Sequence, residues 1–349
     1  MAHSPEAANP PNSAAPRAVT LHDVAREAGV AVSTASRALS KPDRVNARTR
    51  DHVQAIARRL DYQPNRVAQT LLTGRTQMFA LLVPDITNPH NFGLIRGAEA
   101  QARAAGYTLV IGDSQEDADL EKAHAERLGS VVDGLILAPG KLTEAQLQQL
   151  QKRRPVVLHN RLVPGFPSVI TDSADGSRQI IEHLAAHRHR SIAYLGGPQN
   201  YWSDGERWRA LHEHASAAGI EIVRRGPFPP TVEHGAAAAD IGLASGATAL
   251  IGFNDLLAIG VLQRLAHLGV DVPGQISVVG YDDIFGSDFC RPPLTTVTSP
   301  AEAAGRALID LLLGTRGPEP DPRILLPTRL RVRDSTGSAP RPGQQFRPR

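Results

Sequence analysis

A single cysteine, Cys290, stands among 349 residues. That scarcity excludes an intrachain disulfide framework and fits a reducing compartment, so a cytoplasmic protein is expected. No stretch approaches the roughly 20 consecutive apolar residues that a membrane span needs. Met1 to Pro16 is rich in Pro, Ala, Ser and Asn and has no continuous apolar region, so it reads as a disordered tail rather than an export signal or anchor. Gly337 to Arg349 has the same character. Catalytic signatures are also missing, including a G-x-S-x-G nucleophile elbow and a dinucleotide fingerprint. Gly134 to Lys141 ends in Gly-Lys like a phosphate loop, yet five residues separate its glycines and Leu142 stands where Ser or Thr is required. His183, His187 and His189 lie close together, but no cysteine or nearby carboxylate completes a metal set. No catalytic residue, metal or cofactor is expected.

The length suffices for at least two domains. Net charge is only +3, but residues 1–76 hold ten Arg and one Lys against six acids. The positive charge is therefore concentrated at the N-terminal end, as contact with a polyanion would favour.

Within that end, Thr20 followed by Asp23 can form a capping box, and Leu21, Val24, Ala25 and Ala28 make an apolar stripe that Gly29 can terminate. A second helix through Ala31-Val32-Ser33-Thr34-Ala35-Ser36-Arg37-Ala38-Leu39 turns Ala35, Ala38 and Leu39 inward and Val32, Ser33, Ser36 and Arg37 outward. Two short helices about a tight Gly turn make a helix-turn-helix. By themselves they equally describe a helical hairpin with a solvated Arg37. In the first reading, Val32, Ser33 and Arg37 are base readers, with Arg37 able to bond O6 and N7 of one guanine. Thr20, Thr34, Ser36 and Asn46 are candidates for phosphate. A third helix is expected from about Ala47 to Leu60, capped by Asn46. A helix of about two turns between Pro64 and Gly74 is too short to be stable alone.

Val19 to Thr76 resembles the DNA-binding headpiece of the lactose-repressor (LacI/GalR) family of bacterial transcription factors. The resemblance rests on T-x-x-D-V-A-x-x-A-G-V from Thr20, Ser36-Arg37-Ala38-Leu39, Thr49-Arg50, and the L-x-Y-x-P-N and A-x-x-L-x-T-G-R-T signatures from Leu60 and Ala68. It implies a hinge helix that folds on the operator, with Asn65, Ala68 and Leu71 at the minor groove and Leu71 as the wedge. Ala31 stands where the family usually has a capping Ser.

From Met78 onward, short apolar runs alternate with helical patterns, which predicts α/β architecture with parallel sheets covered on both faces. The strands expected are Phe79 to Pro84, Tyr107 to Gly112, Gly134 to Ala138, Val156 to His159, Val169 to Thr171, Ile192 to Leu195, Ala249 to Phe253, Ile276 to Gly280, and a pair within Ile324 to Val332. Their number and a pause near Asp172 suggest two lobes with a ligand cleft at the strand C-termini.

This body resembles the family's effector-binding core, which shares its fold with periplasmic sugar-binding proteins, through Val83-Pro84-Asp85-Ile86-Thr87-Asn88-Pro89, Val132 to Ile136, His183-Leu184, His189-Arg190 and Val278 to Asp283. The domains expected are a tail at 1–17, the headpiece at 18–63, hinge helix and linker at 64–76, the core at 77–336 with lobe crossings near 172 and 297–323, and a tail at 337–349. The resemblance implies effector contacts at Asn88, His90, Phe92, Asn160, Trp202, Arg207, Asn254 and Asp282. Arg207 opposite Asp282 suits a polyol. Asn160 and Asn254 could equally cap helices, and Phe92, Tyr201 and Trp202 could equally fill the lobe interface. His90-Asn91 replace the family's usual aromatic residues, so a more polar or smaller ligand is expected. Arg188 replaces a usual Gly and should take a left-handed conformation, costing on the order of 1 kcal/mol.

The reading that explains both halves is a transcriptional regulator, commonly a repressor, that binds a near-palindromic double-stranded operator as a homodimer and responds to a sugar, polyol or nucleoside. The rival is a small-molecule-binding protein or enzyme on the same core, which would leave the headpiece unexplained.

Overall fold

Thr20 opens the first helix through a reciprocal cap: its hydroxyl accepts from the Asp23 amide at 3.3 Å, and the Asp23 carboxylate accepts from the Thr20 amide at 3.0 Å. In the computed structural model, which describes residues 19–40, 42–63, 74–199, 201–314 and 322–341, α1 spans Leu21–Glu27 and Gly29 follows at φ +62°. Gly bears that left-handed turn without a Cβ clash, so the chain reverses tightly into α2, Val32–Ser40. The third helix, α3, spans Ala47–Arg59, and the Asn46 side chain accepts from the Arg48 amide at 2.9 Å. Val24, Ala35, Ala38, Val53 and Ile56 meet in one small core. Leu39 and Val32 are half-buried and pack against it. This three-helix body belongs to a unit ending at Thr76, and the remainder begins at Gln77. Asn65, Ala68 and Leu71 of the expected hinge, and the expected tail at 1–17, lie outside the described residues save for the hinge's last three positions.

The second unit has two lobes. In the first, β1 (Met78–Val83), β2 (Thr108–Asp113), β3 (Gly134–Leu137), β4 (Val156–His159), β5 (Ser168–Thr171) and β11 (Arg323–Leu326) form a wholly parallel sheet ordered β11-β5-β4-β3-β1-β2. Helices α4 (His90–Ala104) and α11 (Ala301–Leu312) cover one face. α5 (Ala118–Gly129) and α6 (Glu144–Gln151) cover the other. In the second lobe, β6 (Ser191–Leu195), β7 (Glu221–Arg225), β8 (Ala249–Gly252), β9 (Ser277–Asp282), β10 (Thr295–Thr298) and β12 (Arg329–Arg331) are ordered β12-β10-β9-β8-β6-β7. Only β12 runs antiparallel. α7 (Ser173–Ala186) and α8 (Trp202–Ala217) pack on one face, and α9 (Gly235–Ala244) and α10 (Asp255–His267) on the other. Both lobes thus repeat an order that reverses beside their first strand, which opens a crevice at the strand C-termini.

The chain crosses between lobes at Asp172, again between β10 and α11, and a third time between β11 and β12. That third crossing was not expected from sequence, nor were β7 and β10. Part of the expected C-terminal tail is also fixed: the Gly337 carbonyl lies 3.1 Å from His189 Nε2, and the Ala339 amide donates to the His187 carbonyl at 2.8 Å. These bonds satisfy groups of the second lobe, so the chain through Ala339 belongs to the fold. Arg188 takes φ +66°, as its place in the sequence suggests.

Candidate functional site

The headpiece presents Arg37 and Ser33 to solvent on α2. Arg37 lies back along its helix, its Nε donating to the Ser33 carbonyl at 3.1 Å. That bond and a longer one from Nη2 to the Ser33 hydroxyl, 3.5 Å, are both exposed and are what must be exchanged for the fork to reach a base edge. Val32 was expected to face outward but is shared with the core, and Thr34 and Ser36 are half-buried. The Thr20 hydroxyl also donates to Asp23 Oδ2 at 2.7 Å, so it serves the cap first. Its hydroxyl and amide, with Arg26, hold the Asp23 carboxyl at about 2, below the usual range.

In the second unit, β9 ends at Asp282 and α8 carries Arg207 toward it. Arg207 is buried and Asp282 half-buried, with Arg207 Nη2 donating to Asp282 Oδ1 at 3.2 Å. Arg207 Nη1 donates to the Phe253 carbonyl, and the guanidinium lies 4.2 Å from the Tyr281 ring centre and 4.9 Å from that of Phe253. Burial opposes its charge, but Asp282, Tyr194 and Tyr281 outweigh it and raise the pKa. Across the cleft, His90 at the start of α4 places Nδ1 3.7 Å from Asp282 Oδ1. An opening of about 430 Å³ runs past Pro89, His90, Asp282 and Ser299. Arg207, Asp282 and His90 are therefore brought together.

The other expected contacts divide. Asn88 accepts from the His90 amide at 3.0 Å and so fixes the start of α4. Asn160, at φ +48°, accepts from the Thr171 amide at 2.8 Å. Asn254 accepts from the Leu257 amide at 3.0 Å, and its Nδ2 donates to the Pro230 carbonyl at 3.2 Å, so it caps α10. Phe92 is 48% exposed and does not border the opening beside Asp282. Trp202 borders a separate, mostly apolar cavity of about 360 Å³ with Leu162, Ile170 and Ile324. The structure does not bring Phe92 or Trp202 to the Arg207–Asp282 pair.

Three features escaped sequence reading. His159 ends β4, is 1% exposed, and stacks near-parallel on His90 with ring centres 6.3 Å apart. Asp255 is fully buried and accepts from Thr296 Oγ1 and Ser287 Oγ at 2.6 Å and from the Ile284 amide at 3.0 Å. Burial, then neighbouring Asp282, pushes its pKa up to about 7. Tyr201, in the second lobe, donates to Glu116 of the first at 2.6 Å, and Lys141 Nζ stands 3.6 Å from the same carboxylate. The three clustered histidines instead bond locally, for example His183 Nε2 with Thr336 Oγ1 at 2.9 Å and His189 Nδ1 with Thr248 Oγ1 at 2.8 Å. Among the described residues no group of three or more His, Cys, Asp or Glu could hold a metal ion, and no helix is long and apolar enough to cross a membrane.

A helix-turn-helix unit followed by a two-lobed α/β core with a polar cleft defines a class, the ligand-responsive DNA-binding regulators. Residues 20–65 match the lacI family of bacterial regulatory proteins, and residues 181–336 match the periplasmic binding protein-like domain. The chain is 30% identical over 306 residues to the HTH-type transcriptional repressor CytR of Escherichia coli (strain K12), covering 85% of this chain and 89% of CytR. It is 32% identical over 340 residues to the HTH-type transcriptional regulator CelR of Thermobifida fusca, covering 91% and 98%. Among solved structures, the lac repressor dimer bound to operator and the anti-inducer ONPF superposes with a TM-score of 0.81 at 28% identity, over 92% of this chain and all of that one. A CelR–cellobiose complex gives 0.66 at 29%, over 91% and 99%. The chain belongs to the lacI family and is a DNA-binding transcriptional regulator.

Proposed function

We propose that this regulator is a repressor that binds a near-palindromic operator as a homodimer and is controlled by a neutral, hydroxyl-rich ligand held between its lobes. The observation that carries the ligand half is the pairing of buried Arg207 with Asp282, facing His90 across the strand C-termini. A fixed guanidinium beside a carboxylate offers both donors and acceptors to vicinal hydroxyls, with no net charge left over. Relatives point the same way, since one is the ribose operon repressor of Bacillus subtilis (strain 168) and a solved neighbour holds cellobiose. For DNA, Arg37 and Ser33 read bases, Val32 contributes its outer methyl, and Thr20, Thr34, Ser36 and Asn46 serve phosphates. Asn65, Ala68 and Leu71 form the minor-groove hinge. Such a protein does no chemistry on its ligand and works where the DNA is, in the cytoplasm.

The test is selection of DNA from a random pool, followed by anisotropy titration of the winner with and without neutral sugars, polyols and nucleosides. Mirrored half-sites and a ligand-dependent shift in affinity are expected, with the shift lost in Arg207→Ala while operator binding persists. Unrelated or unmirrored winners would defeat the DNA half, and an unaltered ligand response in Arg207→Ala would defeat the cleft.

A further inference from the structure

Buried polar groups in folded proteins nearly always have partners, and those that lack one call for an explanation. Among the described residues, four buried side-chain nitrogens without a hydrogen-bond partner lie on three residues of one cluster: His90 Nδ1, both ring nitrogens of His159, and Arg207 Nε. His159 is the extreme case, since nothing bonds either end of its ring. It sits at the last position of β4, on the face of the first-lobe sheet that α4 covers, behind a His90 ring that borders the opening to solvent. An imidazole that merely filled space there would serve less well than leucine, because it carries two polar atoms out of water and recovers nothing for them.

We propose that His159 is a specificity-determining residue of the effector cleft, bonding a hydroxyl or amide group of a neutral ligand that enters past His90. The proposal rests on the cleft reading given above. Burial, with His90 beside it, holds the His159 pKa down at about 3, so the ring is neutral and offers one donor and one acceptor, the pattern a hydroxyl matches. Arg207 is already matched by Asp282. No unopposed positive charge is left in the cluster for a phosphate, and the ligand is a free sugar or nucleoside rather than its phosphorylated form.

Full-length wild type, His159→Leu and His159→Gln are melted alone and with D-ribose, D-galactose, cellobiose and cytidine, and with ribose 5-phosphate and cytidine monophosphate. His159→Leu alone should melt no lower than wild type, whereas the concentration of the active neutral compound needed for a given shift should rise tenfold or more. His159→Gln, which keeps a donor and an acceptor, should recover part of the response, and the phosphates should be inactive. A lower melting temperature for the leucine variant alone would make His159 a structural residue and overturn the proposal. A retained ligand shift, or a stronger response to the phosphates, would overturn it as well. If no neutral compound moved the wild type, the cleft reading itself would fail and this inference with it.

Discussion

Arg37 shows how little separates a solvated side chain from a base reader. Its guanidinium is exposed and bonded to its own helix, through the Ser33 carbonyl at 3.1 Å and the Ser33 hydroxyl at 3.5 Å. Arg37→Ala should weaken the best operator by about 1–3 kcal/mol and relax preference at one base pair per half-site. Anisotropy against operators varied at each position checks this, and equal loss on all sequences would make Arg37 a phosphate contact. Asp255 yields a pH effect of definite sign. Its folded pKa is raised to about 7 from an ordinary 3.8, so the folded protein keeps a proton that the unfolded chain loses between those values. The stability it contributes is complete below about pH 4 and falls as pH rises toward 7. Asp255→Asn cannot titrate, so its melting temperature should fall less than that of wild type over this window; equal slopes would show that Asp255 ionises normally. Neither Asp255 nor His159 stood out in the sequence. Each follows or ends an apolar run where a polar residue usually marks a turn, and only the packing of α4, β9 and β10 around them shows that they are buried.

At the scale of elements, the strands most easily read from sequence were those buried on both faces, such as Gly134–Leu137 and Val156–His159. β10 was missed because Thr295-Thr296-Val297-Thr298 looks like a polar loop, yet Thr295 and Thr296 are wholly buried. Their hydroxyls are satisfied by the Arg333 carbonyl, Thr336 and Asp255, which removes the cost of burying them. β7, Glu221–Arg225, was missed as a half-exposed edge strand with three charges in five residues. The seam between α4 and α11 was equally invisible, because it depends on glycines at a close backbone approach. A Cβ on Gly305 would lie 2.2 Å from the Leu94 carbonyl oxygen and 2.6 Å from the Ala98 nitrogen. Backbone cannot swing aside as a side chain can, so Gly305→Ala should cost about 3 kcal/mol, the upper end of ordinary overpacking. Gly205 in α8 is the control, since nothing lies within 4 Å of its Cβ position. Gly205→Ala should be neutral or stabilising by up to about 1 kcal/mol. Thermal or denaturant unfolding of the two variants decides, and comparable stability would mean that α4 and α11 can separate cheaply.

For the effector-binding unit as a whole, three chain crossings join the lobes on one side, while polar contacts draw them together across the cleft. One contact is His90 with Asp282, inside the site. Another, Tyr201 with Glu116, is built from residues outside it. Glu116 and its neighbour Gln115 both take left-handed backbone conformations, φ +57° and +49°, which non-glycine residues adopt only at a cost. The turn is held by its own backbone, the Glu116 amide donating to the Pro84 carbonyl at 2.7 Å and the Asp117 amide to the Ser114 carbonyl at 2.8 Å, and it presents the Glu116 carboxylate to the Tyr201 hydroxyl and Lys141. Tyr201 itself is buried among second-lobe residues, so its ring has a packing role that phenylalanine can keep. Tyr201→Phe then removes only the bond between lobes. A hydrogen bond to a charged group contributes roughly 1.5–3 kcal/mol, so the open-to-closed ratio should rise at least about tenfold. A ligand that prefers the closed form must then supply that difference, and its apparent affinity should fall as the closed population falls. The ligand's effect on operator affinity is bounded by its differential affinity for the two forms, and a coupling of about 1–3 kcal/mol corresponds to roughly 5- to 150-fold. In Tyr201→Phe, small-angle scattering should show a larger radius of gyration without ligand, and operator titrations should need more ligand to reach the same end point. If scattering and half-maximal ligand concentration both matched wild type, the bond between Tyr201 and Glu116 would contribute nothing to closure, and the preference for the closed form would lie in the crossings and in His90 with Asp282.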